Sequence, residues 1–191
     1  DHFEYSHKHR IEELEESFKD LKDGEQSFDF WHLYGYRNLI LKMKEVIRTT
    51  QKTLVMSLWK REVNLLEKEL KKAEKRGVDV TLFSFTKFDF KIGKQISYNL
   101  NEDRLRKIWT PNIILVSDQL STIMGSSKKE SNSRSIFTKN EAIIEIAINH
   151  IVLDITLAGQ RLNFDSNPIV KKIMKNADLQ LNKLLKSKKN F

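Results

Sequence analysis

The residues best placed to do chemistry surround one apolar run, Asn112-Ile113-Ile114-Leu115-Val116-Ser117, followed by Asp118 and then, after six residues, by Gly125-Ser126. A run of this length, rich in β-branched residues, reads as a buried core strand. A carboxylate beyond such a strand can accept from hydroxyls or a cation, and the serine can hydrogen bond. Phosphodiester cleavage through a covalent intermediate needs a nucleophilic imidazole and a cation to meet the charge that builds on phosphorus. The strand opens instead on Pro111 and Ile113, which supply neither. His32 and His150 are the histidines of the central part of the chain, and two residues beyond them stand Tyr34 and Val152, not lysine. His2, His7 and His9 cluster near the start, where a solvated helix end is a better reading than a metal site. No catalytic residue, metal ligand or cofactor is expected.

The elements that would position such a site read as follows. Residues 5–22 form a helix with a seam of Ile11, Leu14, Phe18 and Leu21 flanked by Glu12, Glu13, Glu15 and Glu16. So narrow a seam is marginal alone and must pack on something. A homodimer through these four residues is expected, with packing on the chain's own domain as the alternative. Strand signals at Phe28–Leu33, Thr53–Leu58 and Val78–Ser84 are separated by amphipathic helices at Tyr36–Thr50 and Lys60–Arg76. That alternation predicts βαβ units and a mainly parallel sheet containing 53–58, 78–84 and 112–117. Phe85 to Trp109 is less legible. Phe85, Phe88 and Phe90 alternate with Lys87, Asp89 and Lys91, which suits an edge strand, a base-stacking track, a lid or an ordinary loop with inward aromatics, the last being favoured.

Ser121–Met124 should return antiparallel to 112–118, and Ser135–Thr138 reads as a short strand. Glu141–Ala158 is apolar on nearly every face, which predicts burial on all sides, with Gly159 closing or bending it. Such a helix is central to the domain or lies in a subunit interface. Pro168 suits the first turn of a last, basic amphipathic helix whose stripe is Ile169, Ile173, Ala177, Leu181, Leu184 and Leu185. The predicted organisation is a linker or dimerisation helix at 1–26, an α/β domain at 27–162 and a basic helix at 163–191.

Bulk properties narrow the function classes. The 191 residues carry a net charge of +8, with an acidic start and a lysine-rich end. Cysteine is absent, which excludes disulfides and thiolate metal sites and suits the cytoplasm. The longest uninterrupted apolar run, Ile113 to Val116, is far too short for a membrane span. The chain opens on Asp1 rather than Met and is expected to be cut from a longer protein.

The frame around Asp118 resembles the phospholipase D superfamily, in which a strand carries His, any residue, Lys, four residues, Asp, six residues and Gly-Ser. Pro111 and Ile113 stand where the His and Lys belong, while Asp118, Gly125 and Ser126 match. Residues 30–84 separately resemble the TrmB family of transcriptional regulators. The resemblance rests on Gly35-Tyr36-Arg37-Asn38 before a helix, the strand Leu54–Leu58, the helix holding Glu62, Leu65, Leu66 and Leu70, and Arg76-Gly77-Val78-Asp79-Val80. It covers roughly residues 10–162. It implies a catalytically degenerate, phospholipase D-like half-domain that senses an effector. Two departures are visible: no helix-turn-helix precedes the acidic helix, so DNA would be contacted only through a domain absent from this chain. The β-rich extension of sugar-binding members does not follow Gly159 either, so sugar specificity does not carry over.

The expected function is therefore an effector-binding and dimerising domain without catalysis. A dimerisation module without ligand is the first alternative, and a phospholipase D-like enzyme or nuclease the second. Ligands of parallel α/β sheets gather beyond the C-terminal strand ends. That rule nominates Ser57, Trp59, Ser84, Phe85 and Asp118, and the resemblance adds Ser126. Trp59 would stack, the serines would hydrogen bond and Asp118 would accept from hydroxyls or a cation. Their structural alternatives are an Asp118 that caps the 119–125 turn and a Trp59 that packs into the core.

Overall fold

The computed structural model describes residues 30–130 and 132–174. The seam residues Ile11, Leu14, Phe18 and Leu21, and the last helix beyond Met174, lie outside the described residues. Along the chain come β1 (Phe30–Tyr34), α1 (Tyr36–Thr49), β2 (Thr53–Ser57), α2 (Lys60–Lys75), β3 (Asp79–Thr86) and β4 (Lys94–Leu100). After these come α3 (Glu102–Arg106), β5 (Asn112–Ser117), β6 (Ser121–Ser126), β7 (Arg134–Thr138), α4 (Glu141–Leu162) and α5 (Asn167–Met174). The strands form one sheet in the order β1-β7-β6-β5-β2-β3-β4.

Strand alternation sorts the side chains into two cores. Leu54, Met56, Val80, Leu82, Ile113 and Leu115 meet α1 and α2 on one face. Val55, Phe83, Ile96, Ile114 and Val116 meet α4 and α5 on the other. The result is a three-layer sandwich, with β5 at its centre between β2 and β6.

The sheet is mixed rather than mainly parallel. β2 with β3 and β3 with β4 are parallel, but β5 runs antiparallel to β2, and the β5–β6, β6–β7 and β1–β7 pairs are antiparallel too. The cause lies in the connections. A parallel return needs a segment that crosses the length of the sheet. β4 ends beside the end of β3, with Leu100 opposite Thr86. The short α3 and residues 107–111 do not recross from there, so β5 starts at that end and runs back. Hairpins then keep the remaining strands antiparallel.

The segment from Phe85 to Trp109 resolves in an unexpected way. Phe85 belongs to β3, and residues 87–93 make the parallel crossover to β4 without a helix. Phe88 and Phe90 hold that crossover against the core of α1 and α2. It passes so close to β3 that a Cβ on Gly93 would lie 2.2 Å from the Val80 carbonyl oxygen.

α4 also departs from expectation. It packs Ile144, Ala147, Ile148, Ile151 and Ile155 against the sheet but leaves Ile146, Leu153 and Leu157 exposed at 58, 67 and 40%. It is therefore buried on one side only. It runs through Gly159 to Leu162, and Asn163 ends it in the left-handed region at φ 55°. By length and composition, with mean hydropathy 1.6, this helix could cross a membrane. Uninterrupted run length missed it because Glu145, Asn149, His150 and Asp154 break the pattern.

Gly125 sits in β6 at φ +143°, where an added Cβ would lie 2.6 Å from Ser135 Cα in β7. Both the backbone region and the space exclude a side chain. Gly125→Ala is expected to destabilise the fold by at least roughly 2 kcal/mol, read by urea unfolding.

Candidate functional site

The direction of β5 decides which residues meet. The ends of β2, β3 and β4 share one edge of the sheet with the start of β5, because Ser57 lies opposite Ile114, and with the end of β6, where Ser126 lies opposite Asn112. A cavity of about 520 Å³ opens at this edge, on the α4 side. Ser57, Trp59, Phe85, Tyr98, Trp109 and Asn112 line it from the sheet end, and His150, Asp154, Leu157 and Arg161 line it from α4.

Its walls are mainly aromatic. Phe85 and Tyr98 stack with ring centroids 5.6 Å apart and planes 11° apart. Trp109 leans on Phe85 at 5.5 Å, and Phe83 meets Phe85 edge-on at 5.1 Å from beneath. Trp59 is 4% exposed, so it contributes packing area as well as cavity wall. Two polar groups are unusual here. The Tyr98 hydroxyl is buried without a hydrogen-bond partner among the described residues. Burial pushes the Asp154 carboxyl above its ordinary range, and His150 Nε2, at 3.7 Å, offsets this only in part.

Of the residues nominated from sequence, Ser57, Trp59 and Phe85 come together in this cavity. Ser84 lies beneath it, buried, its Oγ 2.9 Å from Thr86 Oγ1, which accepts the Lys60 N–H at the start of α2. Ser126 is at the same sheet end, where its Oγ accepts from the Lys128 N–H at 3.3 Å and its carbonyl accepts from Ser135 Oγ.

Asp118 lies at the opposite end, where β2 begins. Its oxygens accept from the backbone N–H groups of Gln51, Lys52 and Thr53 at 2.9, 2.7 and 2.8 Å. Burial alone would raise this carboxyl, but the three N–H donors outweigh it and hold the group below the usual range. The residue therefore clamps β5 to the start of β2, rather than capping the 119–125 turn.

The strand that carries the superfamily frame has been absorbed into the fold. Ile113 is 1% exposed among apolar neighbours, where a lysine ammonium would be stripped of water at a cost of several kcal/mol. Next to Pro111 lies a buried ionic cluster. Glu62 Oε1 accepts from Arg61 Nε and Nη2 at 2.9 and 2.7 Å and from the Tyr36 hydroxyl at 2.9 Å. Arg61 also donates to the Ser127 carbonyl, and the Ser127 N–H donates to the Pro111 carbonyl at 2.9 Å. The guanidinium lies 4.5 Å over the Tyr36 ring. Burial first, and the Glu62 carboxylate second, push the Tyr36 phenol well above its ordinary value. Arg61 is thus a cation linked through Ser127 to this strand's opening, and its donors are engaged within the fold. His32 is on β1 at one edge of the sheet and His150 on α4, neither of them in this cluster.

Residues 29–151 match the family model of the N-terminal subdomain of the effector-binding domain of transcriptional regulator TrmB. The chain belongs to the TrmB family of transcriptional regulators. It is also 20% identical, over 157 residues, to an uncharacterized protein, YrhO, of Bacillus subtilis (strain 168). That match covers 82% of this chain and 54% of YrhO, so the chain spans about half the length of this relative. Among solved structures it is similar to TrmBL2, an archaeal chromatin protein, at TM-score 0.47 and 15% identity, over 76% of this chain and 63% of that one. It is similar to NucT from Helicobacter pylori at TM-score 0.44 and 12% identity, over 64% and 93% of the two chains. The phospholipase D family member Nuc from Salmonella typhimurium gives 0.40 and 14%, over 64% and 90%.

The TrmB match ends inside α4, so Asp154, Leu157 and Arg161 complete the cavity from beyond the matched span. Sequence reasoning missed these three, with Tyr98, Trp109, Asn112 and His150. One signal was readable: His150, Asp154, Leu157 and Arg161 share a helical face, and Asp154 is the one acid between Ile151 and Leu162 in α4.

Two outcomes test this geometry. Asp118 has φ 53°, which asparagine tolerates equally, so Asp118→Asn isolates the charge. Its folded-state pKa is depressed, so its contribution is full above the unfolded value and is lost as pH falls through the folded one. The variant should lose roughly 1–2 kcal/mol near neutral pH and show a shallower acid limb in a plot of stability against pH. Glu62→Ala would leave Arg61, only 15% exposed, without its partner. A loss of about 3 kcal/mol in urea unfolding is expected.

Proposed function

We propose that this chain is the effector-sensing and dimerising part of a TrmB regulator, and that the aromatic cavity at the sheet end is its effector site. The observation that carries this reading is the cavity itself, a space of about 520 Å³ with four aromatic walls and a few convergent polar groups. Pre-formed pockets of that size and make-up are where small ligands bind. Ser57, Trp59 and Phe85 keep their proposed roles, joined by Tyr98, Trp109 and Asp154. In this reading DNA is bound through a helix-turn-helix elsewhere in the regulator. A ligand that fits one arrangement of two subunits better than another shifts the population between them and changes the spacing of the DNA-binding heads.

A thermal-shift screen of small metabolites tests the effector. A ligand at a hundred times its dissociation constant should add about 2.7 kcal/mol of stability. Trp59→Ala should weaken a hit tenfold or more, about 1.4 kcal/mol. Unchanged affinity in that variant would place the ligand elsewhere.

The dimer is proposed to form through residues 5–22 with Ile11, Leu14, Phe18 and Leu21 at the seam. The double variant Leu14→Glu, Phe18→Glu should sediment as a monomer while keeping the circular dichroism of the α/β domain. If it still sediments as a dimer, the exposed face of α4 with Ile146, Leu153 and Leu157 becomes the contact to disrupt.

A further inference from the structure

The chemistry of the cavity wall narrows the ligand class, taking the reading of this cavity as the effector site as given. Asp154 lines the cavity together with four aromatic side chains, Trp59, Phe85, Tyr98 and Trp109. Its side chain is 19% exposed, and among the described residues none donates a hydrogen bond to it, His150 lying at 3.7 Å. Tyr98 also lines the cavity, and its hydroxyl is buried with no hydrogen-bond partner among the described residues. A desolvated carboxylate, a free hydroxyl and π-faces together favour an organic cation with hydrogens to donate. Burial holds the Asp154 carboxyl above its ordinary range, as expected of a group awaiting such a counter-charge.

A second charge sits on the same face. Arg161 also lines the cavity, seven residues or about two turns further along α4. The two backbone positions are thus about 10 Å apart along the helix axis. The short carboxylate and the longer guanidinium both line the cavity, so one wall offers a negative and a positive group to a single ligand. A neutral sugar would leave both charges unanswered, and a simple amine or acid would answer only one. On the surface Lys60 pairs with Asp89 at 2.8 Å, whereas Asp154 has among the described residues only the His150 Nε2 at 3.7 Å, a partner charged only when protonated, and Arg161 forms no ion pair among them.

We propose that the cavity takes a zwitterionic ligand of the α-amino acid class with an apolar or aromatic side chain. The ammonium meets the Asp154 carboxylate and donates to the Tyr98 hydroxyl oxygen, and the carboxylate is gripped by Arg161. The side chain lies among Trp59, Phe85 and Trp109.

The test is a titration of the full chain, followed by tryptophan fluorescence and calorimetry, with four probes. These are L-phenylalanine, phenethylamine (no carboxylate), 3-phenylpropionate (no ammonium) and maltose as a neutral comparison. L-Phenylalanine should bind at least tenfold more tightly than either single-charge analogue. Asp154→Asn should weaken L-phenylalanine tenfold or more yet leave 3-phenylpropionate unchanged. Arg161→Gln, at an exposed position that does not endanger folding, should weaken L-phenylalanine and leave phenethylamine unchanged. Maltose binding that Trp59→Ala abolishes, with no response to L-phenylalanine, would overturn the ligand class and leave the cavity as the effector site. If all bound probes keep their affinity in Trp59→Ala, or none binds, both the ligand class and the site are overturned.

Discussion

The antiparallel seating of β5 against β2 is the constraint on which the rest of the molecule depends. Asp118 fixes it at one end by drawing three successive backbone N–H groups of residues 51–53 onto one carboxylate. Such charge-assisted bonds are about twice as strong as neutral ones. Because β5 reverses there, its first residues lie beside the last residues of the parallel strands. One edge of the sheet is thereby closed by the Asp118 clamp. At the other, the ends of β2, β3 and β4 and the start of β5 converge with the end of α4 on one cavity. A parallel β5 would have moved Asn112 to the far edge and left the cavity without one of its walls.

The same strand opens without the groups that the frame it resembles would use. Pro111 and Ile113 carry neither the imidazole nor the cation that phosphodiester cleavage through this frame requires. Ile113 is buried in the apolar core, and the ionic cluster linked to Pro111 through Ser127 is spent on internal bonds among Arg61, Glu62 and Tyr36. A buried pair of this kind contributes little net stability while intact, but its disruption is costly, because one charge would be left unpaired out of water. The cavity lies on the opposite face of the sheet, where aromatic side chains supply area and Asp154 and Arg161 supply charge.

Much of this architecture was legible in the sequence because local periodicity and local structure agree. β2, α2 and β3 follow their apolar patterns closely, and Trp59 and Phe85 fall at strand ends as a topological rule expects. What could not be read was strand direction. Nothing in Asn112–Ser117 says which way it runs, since direction is set by whether the preceding connection recrosses the sheet. The crossover at 87–93 was obscure for the same reason, being held by Phe88, Phe90 and Gly93 rather than by a helical period. α4 misled in the other direction. Its apolar residues cover every face, yet the sheet buries only one, and two of the polar residues among them, His150 and Asp154, line the cavity. Asp118 shows the limit of a strand-end rule. Its position after a strand was plain, but the neighbours that occupy its oxygens are more than sixty residues away in sequence.

The measurement that bears most directly on this account is an indole N–H NMR titration with any ligand that raises the melting temperature. The chain has three tryptophans, which sample two places. Trp59 and Trp109 line the cavity, while Trp31 packs on Phe137 at the β1 edge. The account predicts that the Trp59 and Trp109 signals move together along one saturation curve while the Trp31 signal stays fixed. Movement confined to Trp31, or saturation that leaves all three signals in place, would contradict it.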